Sequence, residues 1–185
     1  MATIGLRDLF YAPITVGADG SETYGTPVRL AKAISADLSV DVAEAMLYAD
    51  DGIDEIAREF VSGEIKLGVN DFEPEKQAVL LGQTQDDDGV LFAGENDDPP
   101  YVAIAFRSKK AGGKYKYIWL YKVKFAIPDE KYATKADKLE FNTPELVGTF
   151  IKRADGKWKA DAVATPGDSI ADAWFTKVRE PIIAS

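Results

Sequence analysis

Acidic residues are the main candidates for chemistry in this sequence of 185 residues. The stretch LYADDGIDEIAREF, residues 47–60, holds Asp50, Asp51, Asp54 and Glu55 close together. Two such carboxyl groups could act as acid and base in glycoside hydrolysis if one of them had a raised pKa in a cleft. A run of exposed acids, however, stays ionised because water solvates the charges. The spacing therefore leaves catalysis as an alternative and favours a solvated structural role.

A second acidic stretch, TQDDDGVLFAGE at residues 84–95, partly matches a calcium-binding loop. Asp86, Asp88 and Glu95 stand at the third, fifth and twelfth positions of such a loop. Its first position needs an acid and holds Thr84, and the two prolines that follow soon after exclude an exiting helix. We predict a solvated turn here, with calcium binding as the less favoured alternative.

Two short motifs resemble parts of catalytic or phosphate-binding sites. GDSIA, residues 167–171, is similar to a nucleophile elbow but ends in Ala where the elbow has Gly. The sequence contains no His and no Cys, so an imidazole base and the usual zinc ligands are missing. KKAGGKY, residues 109–115, lacks the spacing of a phosphate-binding loop. We expect a helix cap at Asp168 or Ser169 and a hairpin turn at the glycines, with no enzyme activity, cofactor or metal site.

The net charge of −9 is unevenly distributed along the chain. Between Pro99 and Pro128 there are seven basic and no acidic residues, so the rest of the chain carries −16. A surface that carries separate regions of positive and negative charge favours oriented contacts with copies of the same chain or with a basic partner. The candidate basic patch for contacts between subunits consists of Lys109, Lys110, Lys114 and Lys116.

The composition is that of one globular domain over residues 1–185, with 46% hydrophobic and 29% charged residues. No apolar run approaches the roughly 18 residues that span a bilayer. The N-terminus MATIGLRDLF also lacks the basic and apolar regions of a secretory signal. We therefore expect a protein that is made in the cytoplasm and has no membrane partner.

Alternating apolar residues predict that most of the chain is β-strand. Residues 28–42 alternate as a half-buried strand or a pair of strands, and residues 53–69 continue the pattern with a bulge or bend at Ser62-Gly63. Ile53 to Phe60 also has helical spacing, but the alternation that follows it favours a strand. Further strands are predicted at residues 90–92, 138–142, 146–153 and 157–164, with a tight turn at residues 154–156.

The clearest hairpin joins residues 101–106 to residues 115–125 through SKKAGGK. We expect one face of its second strand to carry Tyr115, Tyr117, Trp119, Tyr121, Val123 and Phe125. Interleaved lysines and rings are also typical of platforms for single-stranded nucleic acid. Here the lysines alternate with the rings and fall on the opposite face, so a core strand is favoured.

Two short helices complete the expected elements. Residues 74–81 follow a candidate cap at Asp71, begin with Pro74 and precede Gly82, which can end a helix. Residues 169–178 place apolar side chains at helical spacing before a proline. The patterns together predict a mainly β domain, β-rich α+β, with one short helix and a second at the C-terminus.

Residues 47–82, LYADDGIDEIAREFVSGEIKLGVNDFEPEKQAVLLG, resemble the signature of the major tail proteins of bacteriophages. These are the tail tube proteins of phages with long, non-contractile (siphovirus-type) tails. Further segments agree with the family in order over nearly the whole chain. They are GLRDLFYAPIT, AFRSKKAGGKYKYIWLYKVKF, FIKRADGKWKA and AWF.

The resemblance implies a structural protein with two packed antiparallel sheets, a sandwich or barrel-like tail tube fold, flanked by a helix. In that family, six subunits form a ring whose inner sheets join into a barrel around a lumen, and rings stack into a tube. The tube houses the tape-measure protein, meets the tail terminator and distal tail proteins, and conducts DNA during ejection. The family has no catalytic residues, and the resemblance places the chain in the virion tail after assembly in the host cytoplasm.

Two groups of residues acquire expected roles from this resemblance. Asp50, Asp51 and Asp54 are expected in or beside a loop that reaches toward an adjacent ring. The candidate residues facing the lumen are Lys32, Asp37, Ser39 and Asp41. An acidic wall would repel DNA, so DNA is expected to pass without specific binding.

Two other classes of function stay open at this point. One is a β-sandwich binding module for carbohydrate, or a virion adaptor such as a tail terminator or baseplate protein. The other is a hydrolase that uses only carboxyl groups, which no complete motif in the sequence favours.

Overall fold

The computed structural model describes residues 3–49, 52–129 and 143–181. The predicted fold class is confirmed, because the chain is mainly β with a large antiparallel sheet, a second small sheet and two short helices. The large sheet contains β1 (Thr3–Val16), β2 (Glu22–Tyr24), β3 (Val28–Ala31), β4 (Ala33–Ala49), β5 (Gly52–Val69), β8 (Val102–Lys110), β9 (Tyr115–Phe125), β10 (Glu145–Phe150) and β11 (Lys159–Ala164). The small sheet contains β6 (Thr84–Gln85) and β7 (Leu91–Phe92), and the helices are α1 (Pro74–Leu81) and α2 (Ser169–Ala173).

The large sheet has the strand order β2-β1-β8-β9-β10-β5-β4. β3 also pairs with β1, and β11 pairs with the first half of β9 while β10 pairs with its second half. The long hairpin of β4 and β5 lies at one end of this order. It confirms the predicted strand at Ile53 to Phe60, where the helical spacing is overridden by cross-strand pairing.

Both faces of the central strands are covered by buried apolar side chains. The inner cluster draws on β1, β3, β5, β8, β9, β10 and α1, so the sheet curves around it. Its members include Leu9, Leu30, Ile65, Phe106, Leu120, Phe125 and Phe150. The outer cluster lies on the opposite face of β1, β8 and β9, where α2 and the residues after it cover the sheet. Its main members are Tyr117, Trp119, Tyr121, Trp174 and Val178.

The prediction that six side chains of β9 share one face is wrong beyond Tyr121. Ile104 pairs with Leu120, but Val102 pairs with Val123, so β9 contains one more residue than β8 over this interval. Such a β-bulge shifts the alternation by one position. Val123 and Phe125 therefore join the inner cluster, whereas Tyr121 belongs to the outer one.

Helix α1 has the predicted bounds but not the predicted cap. Its N-terminal cap residue is Glu73, which makes no side-chain cap hydrogen bond, and Asp71 lies two positions further from the helix. Glu73 instead forms an ion pair with Lys76 at 2.7 Å. Gly82 ends the helix as predicted, with a left-handed φ of 67° that Gly adopts without strain.

Helix α2 ends at Ala173, five residues before the predicted end. Thr176 donates its hydroxyl to the carbonyl of Ala173 at 2.8 Å, and the indole Nε1 of Trp119 donates to the carbonyl of Trp174 at 3.1 Å. These bonds replace the backbone bonds that would continue the helix. Asp168 precedes α2, and its side chain accepts the N–H of Thr165 rather than a helix N–H.

The other strand boundaries differ slightly from the predicted ones. β10 stops at Phe150 because the chain then turns back through residues 153–157, where Arg153 N–H donates to the carbonyl of Lys157 at 2.9 Å. Gly156 has a φ of 79°, which confirms the tight turn. The predicted strand at residues 138–142 lies outside the described residues.

Candidate assembly surface

The distal part of the β4–β5 hairpin leaves the large sheet. β5 pairs with β10 only over Gly63–Gly68, and β4 is the last strand in the sheet order. Among the described residues, 41–49 and 52–62 therefore pair only with each other, and we call these residues the ribbon. Both outer edges of the ribbon present backbone N–H and C=O groups that no described strand pairs.

One face of the ribbon is largely apolar and exposed. Residues opposite each other on antiparallel strands place their side chains on the same face. The pairs on this face are Val42 with Phe60, Glu44 with Arg58, and Met46 with Ile56. Val42 and Ile56 are 50% and 47% exposed, and the ion pair of Arg58 with Glu44, at 2.6 Å, lies between them. In a single chain, this face leaves apolar side chains in water.

An aromatic stack holds the base of the ribbon to the body. The ring of Phe60 lies parallel to the indole of Trp158, with centroids 4.9 Å apart, and Phe150 lies 5.5 Å from the same indole. A bulge at Val61 directly follows Phe60, since Asp41 pairs with Ser62 while the next residue of β4 pairs with Phe60. The bulge predicted at Ser62-Gly63 is thus present, one residue earlier than the sequence placed it.

Gly63 permits the close approach of Phe150 at this point. A Cβ atom on residue 63 would lie 2.1 Å from Phe150 Cζ and 2.6 Å from the carbonyl oxygen of Ser39. Any larger residue would push the ring out of the stack. The stack could not be predicted from the sequence, because Phe60 lies about ninety residues before Phe150 and Trp158 in the chain. The only sequence signal is the Gly itself, which is typical of a strand that another group approaches closely.

Of the three predicted loop acids, the structure describes Asp54, which lies near the far end of the ribbon. β4 ends at Ala49 and β5 begins at Gly52, and Asp54 belongs to β5 at a shift of register near its start. Asp50 and Asp51 lie outside the described residues. The contact of these acids with another ring stays a prediction.

Three of the four candidate lumen residues lie on one face of β4, and Lys32 directly precedes this strand. Ala33 and Ala36 pack against the inner cluster, and between them Ile34 is an extra residue that shifts the alternation. After this bulge, the odd-numbered residues Asp37, Ser39 and Asp41 lie on the face away from the inner cluster. All three side chains are exposed, as is that of Lys32.

The predicted basic patch divides into two parts. Lys109 and Lys110 end β8 and Lys114 precedes β9, and none of the three has an ion pair with a described residue. Lys116 instead lies 3.5 Å from Asp161, which Lys159 also contacts at 3.1 Å. Burial acts to raise the pKa of Asp161, but the two lysines outweigh it and hold this pKa below its usual value.

The partial calcium motif forms a turn between β6 and β7. Asp86 Oδ1 accepts the backbone N–H groups of Asp88, at 3.1 Å, and Val90, at 2.8 Å. This carboxylate therefore stabilises the turn. Within the described ranges, no group of three or more acidic side chains is placed to hold a metal ion.

Two grooves of about 570 Å³ lie on the described surface. One lies beside α2 and is lined by Ile170, Trp174 and Glu180, among others. The other lies beside α1 and contains Gln83 and Asp129. Each lining has a single carboxylate, so neither groove brings together the pair of carboxyl groups that hydrolysis of a glycoside uses.

Comparison with known proteins does not assign the chain to a family. No protein-family model matches the sequence, and no curated protein matches it. In the part of the chain that the structure describes, no helix has both the length and the apolar character needed to cross a membrane.

Proposed function

We propose that this protein is a structural subunit that polymerises with copies of itself into a tube, the tail tube of a phage with a long, non-contractile tail. The observation that carries the proposal is the ribbon, which extends from a well-packed body with two open edges and an exposed apolar face. An isolated two-stranded ribbon is marginally stable in water. Contacts with other subunits would cover its edges and its apolar face, and would stabilise it.

Edge pairing supplies a physical route to a ring. An open edge of one subunit can add to a strand of the next by backbone hydrogen bonds, as strands do in β-augmentation. If the two edges of the ribbon meet different neighbours, the same contact repeats around a closed ring. In the proposed tube, the sheets of the six subunits in a ring surround a lumen that holds the tape-measure protein and later passes DNA.

The charge of the chain fits a conduit for DNA. Each subunit carries −9 in total, and Asp37 and Asp41 add two carboxylates to the exposed face of β4 away from the inner cluster. If this face lines the lumen, it repels phosphate groups, so DNA slides through without being held.

A carbohydrate-binding module receives less support from the described side chains. Such a module needs exposed aromatic rings as a platform, but Tyr117, Trp119 and Tyr121 are buried. Phe92 is the one ring among the strongly exposed hydrophobic residues that the structure describes. The role of a virion adaptor uses the same exposed ribbon, but an adaptor would form single rings that do not stack into tubes in the experiment below.

The test compares the wild-type protein with a variant whose ribbon is shortened. In the variant, an Asn-Gly turn replaces residues 43–59, so that Val42 still pairs with Phe60 across a two-residue hairpin loop. We expect the wild type to form tubes of stacked rings in negative-stain electron microscopy of concentrated protein. The variant should stay monomeric, and a cooperative thermal unfolding transition followed by circular dichroism should show that its body is folded.

Two results would contradict the proposal. A wild-type protein that stays monomeric at high concentration and binds glycans is a binding module. Normal tubes from the shortened variant would show that the ribbon is not the assembly surface.

A further inference from the structure

Unpaired charges of opposite sign lie at the two ends of the central strands. We call the turn between β8 and β9, with Lys109, Lys110 and Lys114, the basic end. We call the segment of residues 83–100, with its exposed acids Asp87, Asp88 and Glu95, the acidic end. None of these acids forms an ion pair with a described residue, and the same holds for the three lysines.

Strand direction places these two groups far apart. The acidic segment leads directly into Val102, where β8 begins, and the lysines follow at the other end of the same strand. Nine residues at about 3.3 Å each separate the two ends by about 30 Å. Asp98 confirms the placement, because its Oδ1 lies 2.5 Å from Nζ of Lys124 near the end of β9. That hydrogen bond raises the pKa of Lys124.

Both ends are held in defined conformations. At the basic end, Lys110 N–H donates to the carbonyl of Lys114 at 2.8 Å, and Gly112 and Gly113 supply the positive φ angles of the turn. At the acidic end, Asp86 and Asp97 accept backbone N–H groups and fix the segment that carries the free acids. Little ordering entropy would then be lost when these ends meet a partner.

We propose that the basic end of one copy docks on the acidic end of the next, giving a head-to-tail contact that sets the polarity of stacking. This inference rests on the proposed assembly and names the surfaces that carry it. Two different surfaces at opposite ends of one chain make a heterologous contact, which can repeat without closing. Complementary charges favour this orientation, because like ends repel each other and opposite ends attract. The contact weakens as salt rises.

The ribbon offers a competing acidic surface, with Glu55 and Glu59 exposed. β5 is antiparallel to β10, and β10 is antiparallel to β9, so the ribbon extends toward the basic end of its own chain. A contact between lysines and a ribbon would therefore join copies side by side. The experiment is designed to separate these two arrangements.

The experiment reverses charges at one end, at the other end and at both. The variants are K109E/K110E/K114E, D87K/D88K/E95K and the two combined in one chain, which restores the wild-type net charge. A control, K157E/K177E/R179E, changes the net charge as much as the first variant but at exposed positions away from both ends. Polymer growth is followed by light scattering and electron microscopy at low salt, and circular dichroism checks the fold of every variant.

We expect each single-end variant to raise the concentration needed for growth by about tenfold or more, since like charges would then meet at the contact and repel each other. The combined variant should grow like the wild type, and the control should grow nearly normally. Rescue by the combined variant supports the head-to-tail contact.

Three results overturn the inference. Unchanged growth of K109E/K110E/K114E would show that the basic end takes no part in assembly, and it would leave the proposed function intact. Rescue of that variant by E55K/E59K, but not by the reversed acidic end, assigns the lysines to a side-by-side contact with the ribbon. A wild-type protein that does not associate at low salt overturns both this contact and the proposed function.

Discussion

Glu22 and Lys122 form a nearly enclosed ion pair, with only 7% and 18% of the two side chains exposed. Lys122 Nζ lies 2.5 Å from Glu22 Oε1 and also 4.9 Å from the ring centroid of Tyr101. The bulge in β9 places Lys122 on the face where β2 can reach it, so one irregularity of the backbone decides the partner of a charge. Charges this far from water need their partner, because neither is solvated alone.

Replacing Lys122 with Met should therefore destabilise the fold by about 3 kcal/mol, since the apolar stem is kept but Glu22 is left buried and unpaired. The control is Lys66→Met, which breaks the exposed pair with Glu64 and should change stability by less than about 1 kcal/mol. Urea denaturation followed by Trp fluorescence measures both. Equal effects of the two substitutions would show that the Glu22 pair is solvated.

At the scale of elements, the stack of Phe60, Phe150 and Trp158 fixes the direction in which the ribbon leaves the body. The ribbon has no backbone bonds to other described strands, so side-chain packing at its base is what orients it. Aromatic pairs in this geometry contribute about 0.5 to 1.5 kcal/mol beyond the area they bury. That is enough to restrict the ribbon without adding much to the stability of the body.

Replacing Phe60 with Ala should loosen the ribbon while the body stays folded. The chain has no Cys, so spin labels can be attached cleanly at two introduced cysteines, Glu55→Cys on the ribbon and Asp172→Cys on α2. We expect a narrow distribution of distances between the labels in the parent and a clearly broader one with Phe60→Ala.

The matched control for this measurement is Val42→Ala, which truncates the residue paired with Phe60 across the ribbon and outside the stack. It should leave the distribution of distances narrow. A narrow distribution with Phe60→Ala as well would show that the stack does not set the direction of the ribbon.

At the scale of the whole molecule, the protein presents three kinds of surface to its surroundings. These are the open edges of the ribbon, the charged ends of β8 and the polar face of β4. In the proposed tube, the first two would meet other copies and the third would face the lumen. The assignment of the polar face can be tested independently of the other two.

A cysteine introduced at Asp37 or Asp41 should react with a bulky thiol reagent in the monomer but be protected in assembled tubes, because the reagent cannot enter the lumen freely. A cysteine at the exposed Lys177 is the control and is expected to react in both states. Mass spectrometry of the labelled protein gives the extent of reaction. Equal labelling of Asp37→Cys in monomers and tubes would show that this face of β4 does not line the lumen.

The sequence by itself determined the fold class, strand β5, the part of β4 up to Val42, the β8–β9 hairpin and helix α1. These elements depend on alternation, turn residues and helix ends, which are local properties of the chain. The sequence also indicated a bulge beside Ser62-Gly63, which the structure has at Val61, but only the tertiary structure decided the interruptions at Ile34 and near Tyr121. A bulge is set by what the neighbouring strand can pair with and pack against, and that neighbour is distant in sequence.

For the candidate assembly surface too, the sequence determined some features and the tertiary structure decided others. Acidic and basic stretches are visible in the sequence, but whether a charge is free or paired depends on the approach of another strand, as Lys116 and Lys110 illustrate. Likewise, the apolar residues of the ribbon look like core in the sequence. They are exposed because β10 stops at Phe150 and no described strand continues beside them, and that is a property of the assembled sheet.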